Sequence, residues 1–111
     1  MICRIGPFLH SSGINGKHPE KDKLSPDIAE QCAQMFRNVR LVLEKAGAKP
    51  EHILKMTFFL PARNLRPHIN QHWLELFPDP HSRPARHVHS EPDLTSGMLV
   101  QCEFFAIVPE A

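Results

Sequence analysis

A chain of 111 residues, 41% hydrophobic and 23% charged, suits one globular domain and excludes intrinsic disorder. Its net charge of +1, with histidine neutral, demands neither nucleic acid nor an anionic membrane surface as partner. No stretch nears the roughly 18 apolar residues of a membrane span.

In chain order, Ile5 to Ile14 mixes apolar and small residues and predicts a strand running into a turn at Gly13. Asn15 to Lys23 is polar, carries Gly16 and Pro19, and reads as a loop. A long helix follows. Ser25 is the expected N-cap, Pro26 suits the first helical position, and Asp27 favours the positive end of the dipole. Ile28, Cys32, Met35, Val39, Val42 and Ala46 recur at spacings of three and four and form one apolar stripe. Gly47 is the expected C-cap, with Pro50 just beyond.

Ile53 to Leu60 reads as a buried strand between Pro50 and Pro61. A second helix is expected from about Leu65 to Phe77, with Pro67 in its first turn and Ile69, Trp73, Leu76 and Phe77 as its packing face. Pro78 to Pro84 reads as a loop, Ala85 to Ser90 as a strand, and Gly97 to Val108 as a longer strand. The order strand, helix, strand, helix, strand, strand predicts an α/β (α+β) sandwich with two helices on one face of a mixed sheet. So small a domain builds a deep cleft more readily between subunits than within one, which makes an oligomer the expectation.

The cysteines, Cys3, Cys32 and Cys102, are odd in number and far apart, so they read as reduced thiols rather than a disulfide framework. Met1 to Leu9 lacks the apolar run of a secretory signal. Together these predict a cytoplasmic location.

Several segments resemble the YjgF/Rid family, the reactive-intermediate deaminases also labelled endoribonuclease L-PSP. Asp27-Ile28, Gln31, Asn38-Val39 and Leu43 to Ala48 are similar to that family's long helix. Lys55 to Leu60 resembles its next strand, and Ile69-Asn70 with Trp73 and Phe77 its second helix. Arg83-Pro84-Ala85-Arg86 resembles its Pro-Ala-Arg signature. Leu94, Gly97 and Leu99 to Ala106 resemble the closing strand, and Ser12-Gly13 the end of an early strand. The resemblance covers roughly residues 6 to 108, within a single domain over 1–111. It implies a chorismate-mutase-like fold and a homotrimer with clefts between neighbouring subunits. It also implies hydrolysis of enamines or imines of amino acids to ketoacids and ammonia, with no metal or organic cofactor. Relatives carry further residues ahead of the Ser-Gly strand, including a Gly-Pro-aromatic segment. Gly6-Pro7-Phe8 looks like that segment but stands too close to Ser12-Gly13, so the domain reads as shortened at its N-terminus.

The chemistry centres on Arg86. A 2-imino acid carries a carboxylate, which a guanidinium grips through two parallel hydrogen bonds. The competing reading is a surface or interface salt bridge. Gln101 stands where the resemblance implies a glutamate that positions or activates water. A glutamine holds water but cannot take its proton at neutral pH. Glu103, two residues on and roughly 7 Å away on the same strand face, is a substitute base or an interfacial ion-pair partner. Ser12 and Gly13 match the family's cleft wall, or form a plain strand-ending turn. His10 shares the face of Ser12 by alternation and is a possible base. Val88 occupies a position that is often cysteine in relatives. Asn70 matches a recurrent asparagine that a helix-to-loop hydrogen bond explains equally well.

The eight histidines include His68 and His72 at i, i+4 and His87 and His89 as H-x-H. Neither pair has a completing ligand set, so no metal is expected. An enamine/imine deaminase therefore stands first. A non-catalytic trimeric small-carboxylate binder comes second, and an endoribonuclease third.

Overall fold

The computed structural model describes residues 2–94 and 97–109. Its frame is one mixed sheet with two helices on one face. The strands are β1 (Ile2–Ile5), β2 (Phe8–Ser11), β3 (Ile14–Asn15), β4 (Ile53–Leu60), β5 (Ala85–Ser90) and β6 (Gln101–Ile107). The helices are α1 (Ile28–Lys45) and α2 (Pro67–Leu76). The strands lie in the order β1-β2-β6-β4-β5, and β3 also pairs with β6. Only the β4–β5 pair is parallel, and α2 makes the crossover between them. The predicted sandwich is therefore the observed one.

The helix α1 buries Cys32, Met35, Phe36, Val39 and Leu43 against the sheet, a broader face than the predicted stripe. Its start differs from expectation. Asp27 is the N-cap, its carboxylate accepting from the Ala29 N–H at 3.1 Å. Ser25 sits two residues earlier, accepting from the Asp27 N–H and donating to Glu30. Both are good capping residues, and the geometry selects the acid, which also suits the helix's positive end. At the other end Gly47 takes φ +69°, and the Ala48 N–H reaches the Leu43 carbonyl at 2.9 Å. That closes the helix in a Schellman turn, with glycine at the left-handed position.

The strand expected over Ile5–Ile14 is three strands. Gly6, at φ +57°, and Pro7 turn the chain between β1 and β2, where Ile5 faces Phe8. A two-residue hairpin needs a positive φ at this position, and glycine supplies it without steric cost. Gly6-Pro7-Phe8 is thus a hairpin turn entering β2. Between β2 and β3 the pairing with β6 shifts by one residue. His10 faces Phe105, whereas Ile14 faces Cys102. Ser11 to Gly13 therefore oppose only Glu103 and Phe104, a β-bulge. The buried Ser11 hydroxyl accepts from the Phe104 N–H at 2.9 Å, satisfying a donor that the bulge takes out of the ladder.

Boundaries elsewhere move by small amounts. A short 3-10 turn over Arg63–Leu65 precedes α2, which starts at Pro67 rather than Leu65. β6 begins at Gln101 rather than Gly97, because the approach to it is held by a side chain. Gln31, fully buried on α1, donates to the Ser25 and Gly97 carbonyls and accepts from the Leu99 N–H. These backbone groups find their partners in an amide instead of a strand.

The helices cover the face bearing Met56, Phe58, Leu60, Cys102, Phe104 and Ala106, all at or near zero exposure. Register and alternation give the other face Phe8, His10, Phe59, Gln101, Glu103, Phe105 and Ile107. Ile5 at 74% and Phe8 at 51% exposure are apolar residues left open there. Among the described residues no helix is long and apolar enough to cross a membrane.

Candidate functional site

The edge strand β5 carries Arg86 toward the helices. Its partner in β4 is Met56, which points into the core, so Arg86 lies on the helix-bearing face. The guanidinium carbon sits 5.2 Å from the Trp73 ring centre and 5.5 Å from that of Phe58. Both rings present π-faces to a cation. One Nη donates to the Asn70 Oδ1 at 2.6 Å, from one turn into α2. The recurrent asparagine is thus a helix-to-strand clamp on Arg86 rather than a helix-to-loop brace.

Burial of the guanidinium, reinforced by the nearby Arg66, lowers the Arg86 pKa below its ordinary value. An arginine still keeps its charge at neutral pH. The residue opens onto a cleft of about 610 Å³ lined by Arg63, Asn64, Arg66, Pro67, Asn70 and Val88 among others. Among the described residues Arg86 joins no ion pair. Of the competing reading, a surface or interface salt bridge, no pair forms within the chain among the described residues. Val88, also on β5, is half-buried against the core beside it.

Gln101, Glu103, Ser12 and Gly13 lie elsewhere. Gln101 opens β6 on the opposite sheet face, paired with Phe59 of β4. Its side chain lies directly over Gly13, where a Cβ would fall on the Gln101 amide. Glycine at 13 is thus what lets the amide rest against the bulge. Glu103 follows on the same face, opposite Thr57. His10 is on that face too, its ring 6.0 Å from that of Phe105 and its Nδ1 2.6 Å from the Ser11 carbonyl. The sequence expectation that Ser12 shares a face with His10 rests on unbroken alternation, which the bulge interrupts. Within one chain, then, Arg86, Asn70 and Val88 form one group and Gln101, Gly13 and Glu103 another, on opposite faces of the sheet.

The histidine pairs have local partners. His72 stacks on Phe36, with ring centres 5.4 Å apart, and His89 stacks on Phe59 at 5.6 Å. Among the described residues no three His, Cys, Asp or Glu side chains gather as a metal set. The cysteines are free. Burial pushes the Cys32 thiol up to about 12 and raises Cys102 further. Neither is an accessible nucleophile.

The two arginines of the cleft's lip were passed over in the sequence. Arg63 and Arg66 flank Asn64-Leu65 in a polar stretch that reads as ordinary solvated loop. The usable signal was their position immediately before the proline that starts α2.

Comparison with known proteins agrees with this architecture. The chain is 33% identical over 103 residues to a RutC family protein of Aquifex aeolicus, covering 93% of this chain and 82% of that one. It is 26% identical over 104 residues to the 2-iminobutanoate/2-iminopropanoate deaminase of Escherichia coli K12, covering 93% and 81%. The crystal structure of RidA from Psychrobacter sp. PAMC 21119 superposes with a TM-score of 0.89 at 23% identity, over 96% of this chain and 85% of that one. The family model described as endoribonuclease L-PSP matches residues 1–108, so the chain belongs to that family, the YjgF/Rid family its sequence resembles.

Proposed function

We propose that this protein hydrolyses reactive enamine and imine intermediates, converting 2-imino acids to 2-keto acids and ammonia. The carrying observation is Arg86, a half-buried guanidinium backed by two aromatic rings and held on one side by Asn70. Arg86 lines the cleft, and in this reading its remaining N–H donors grip a planar carboxylate at two points. The relative named 2-iminobutanoate/2-iminopropanoate deaminase supports the reaction class.

The working unit in this reading is a homotrimer. The open apolar face with Ile5 and Phe8 supports association, and contiguous exposed apolar surface of this kind marks interfaces. A neighbouring subunit would then supply the Gln101 group that one chain keeps on the wrong side of its own sheet. With the substrate carboxylate on Arg86, water adds to the imine carbon and the resulting carbinolamine loses ammonia. No electron transfer is involved, and no metal or organic cofactor is required. The Gln101 amide orients the water, Ser12 and the Gly13 backbone wall the site, and Glu103 is the nearest carboxylate on that strand face. The free thiols suit a reducing, cytoplasmic setting.

The test generates 2-imino acids with an amino-acid oxidase and follows loss of imine and release of keto acid, alongside light scattering for mass. Accelerated hydrolysis by a trimer supports the reading. A stable monomer with no acceleration overturns it. Gln101 in place of an acid favours a second reading, a trimeric binder of small carboxylates without turnover. That outcome would show keto-acid binding and no rate effect.

A further inference from the structure

We infer that the ligand of the Arg86 cleft carries a second anionic group, so that the substrates are 2-imino dicarboxylates of four or five carbons. This rests on the deaminase reading above and assigns its substrate class. Three guanidiniums line one cleft: Arg86 from β5, and Arg63 and Arg66 from the turn before α2. None of the three is in an ion pair among the described residues, and no Asp or Glu lines the cleft.

Like charges gathered without a counter-charge oppose one another, and a bound anion relieves them. A monocarboxylate on Arg86 neutralises one of the three. Arg66 occupies the N-cap of α2, its Nε donating to the Arg63 carbonyl at 3.2 Å, which curls the side chain over the turn. The first turn of α2 holds no acidic residue and its N-cap side chain accepts from none of the first N–H groups, so the positive end of the helix adds to the same field. Arg66 also acts electrostatically on Arg86, which places both charges within range of one small molecule. Pro67 and Val88 are the apolar residues of the wall, too few to favour an aliphatic side chain over a charged one.

The reaction stays balanced. Water oxygen forms a bond to C2, the C–N bond breaks, and the imine nitrogen leaves as ammonia. The distal carboxylate is bound and unchanged.

The deciding experiment compares two imines of equal chain length, 2-iminoglutarate and 2-iminopentanoate, generated in place from glutamate and norvaline. The expected result is a kcat/KM at least ten-fold higher for 2-iminoglutarate, with the ratio of the two collapsing ten-fold or more in Arg66→Ala or Arg63→Ala. Calorimetry with 2-oxoglutarate and 2-oxopentanoate gives the same comparison without turnover. If neither imine reacts, the deaminase reading fails, and the calorimetric ratio alone decides the second anion. Equal handling of both compounds, or a ratio unmoved by both substitutions, overturns the inference while leaving deamination intact. Tight binding of a single-stranded oligonucleotide, lost in the same variants and without any dicarboxylate preference, also overturns it and points to a polyanion surface.

Discussion

The Arg86 guanidinium and the Asn70 amide are hydrogen-bonded at 2.6 Å across sixteen residues of sequence, joining the edge strand to the first turns of α2. The bond leaves part of the guanidinium fork uncommitted and fixes where it points. Arg86→Lys keeps the charge and loses the fork. Because a charge-assisted hydrogen bond contributes about 1.5–3 kcal/mol, 2-keto-acid binding should weaken ten-fold or more. The melting temperature and the assembly state should hold. Calorimetry and light scattering on the variant check both halves. Undiminished binding would remove Arg86 as the anchor, and dissociation to monomers would assign it to the interface instead.

Gln101→Glu places a proton acceptor where the amide now lies over Gly13. Imine hydrolysis should rise, by about 10²-fold where general-base catalysis becomes available. The rate should then follow a rising limb with pH that the parent lacks. A flat or reduced rate would mean that the amide serves a ligand other than water.

Two glycines predict opposite outcomes on alanine substitution. At Gly16 the new methyl meets the backbone of Gln31, which cannot move without shifting α1. Gly16→Ala should cost stability in the overpacking range of about 1–3 kcal/mol. At Gly13 the obstacle is the end of a flexible side chain, so Gly13→Ala should leave stability nearly unchanged while displacing the Gln101 amide and lowering activity. Urea unfolding of both variants, with the imine assay on the second, separates the cases.

Gln31→Ala removes three hydrogen bonds at once from a fully buried position and strands the Leu99 N–H and two carbonyls. Each stranded group costs about 1–3 kcal/mol. The variant should therefore be among the most destabilised single changes in the chain. A loss below that of one such group would mean that water replaces the amide. In the parent protein, Cys32 and Cys102 should resist iodoacetamide until unfolding exposes them, since burial raises both thiols. Mass spectrometry of labelled peptides reads this directly.

The sequence was legible where a side-chain period or a local signal sufficed. The spacing of Cys32, Met35 and Val39 announces α1, and β4 and β5 fall at their expected bounds. What stayed hidden depends on partners distant in sequence. Ser25, Pro26 and Asp27 are all plausible at a helix start, and only the reach of a carboxylate to the Ala29 N–H decides among them. The bulge at Ser11–Gly13 has no signature until β6 lies beside it. Asn70 gains its role from Arg86, and Arg63 and Arg66 gain theirs from the cleft that folding assembles around them. Arg86 itself was reachable by resemblance, while its aromatic backing by Phe58 and Trp73 was not.

The bulge between β2 and β3 has a consequence for how the chain tolerates length change. It is a phase slip of one residue, and everything before it inherits that phase: Leu9 and Ser11 inward, Phe8 and His10 outward. Deleting Ser12 would leave two residues opposite Glu103 and Phe104, so pairing would run on without a break, His10 still opposite Phe105 and Leu9 still opposite the buried Ala106. The bulge can thus give up its extra residue locally, whereas a residue lost inside the paired segment Phe8 to His10 would reverse the faces of the hairpin back to its turn at Gly6.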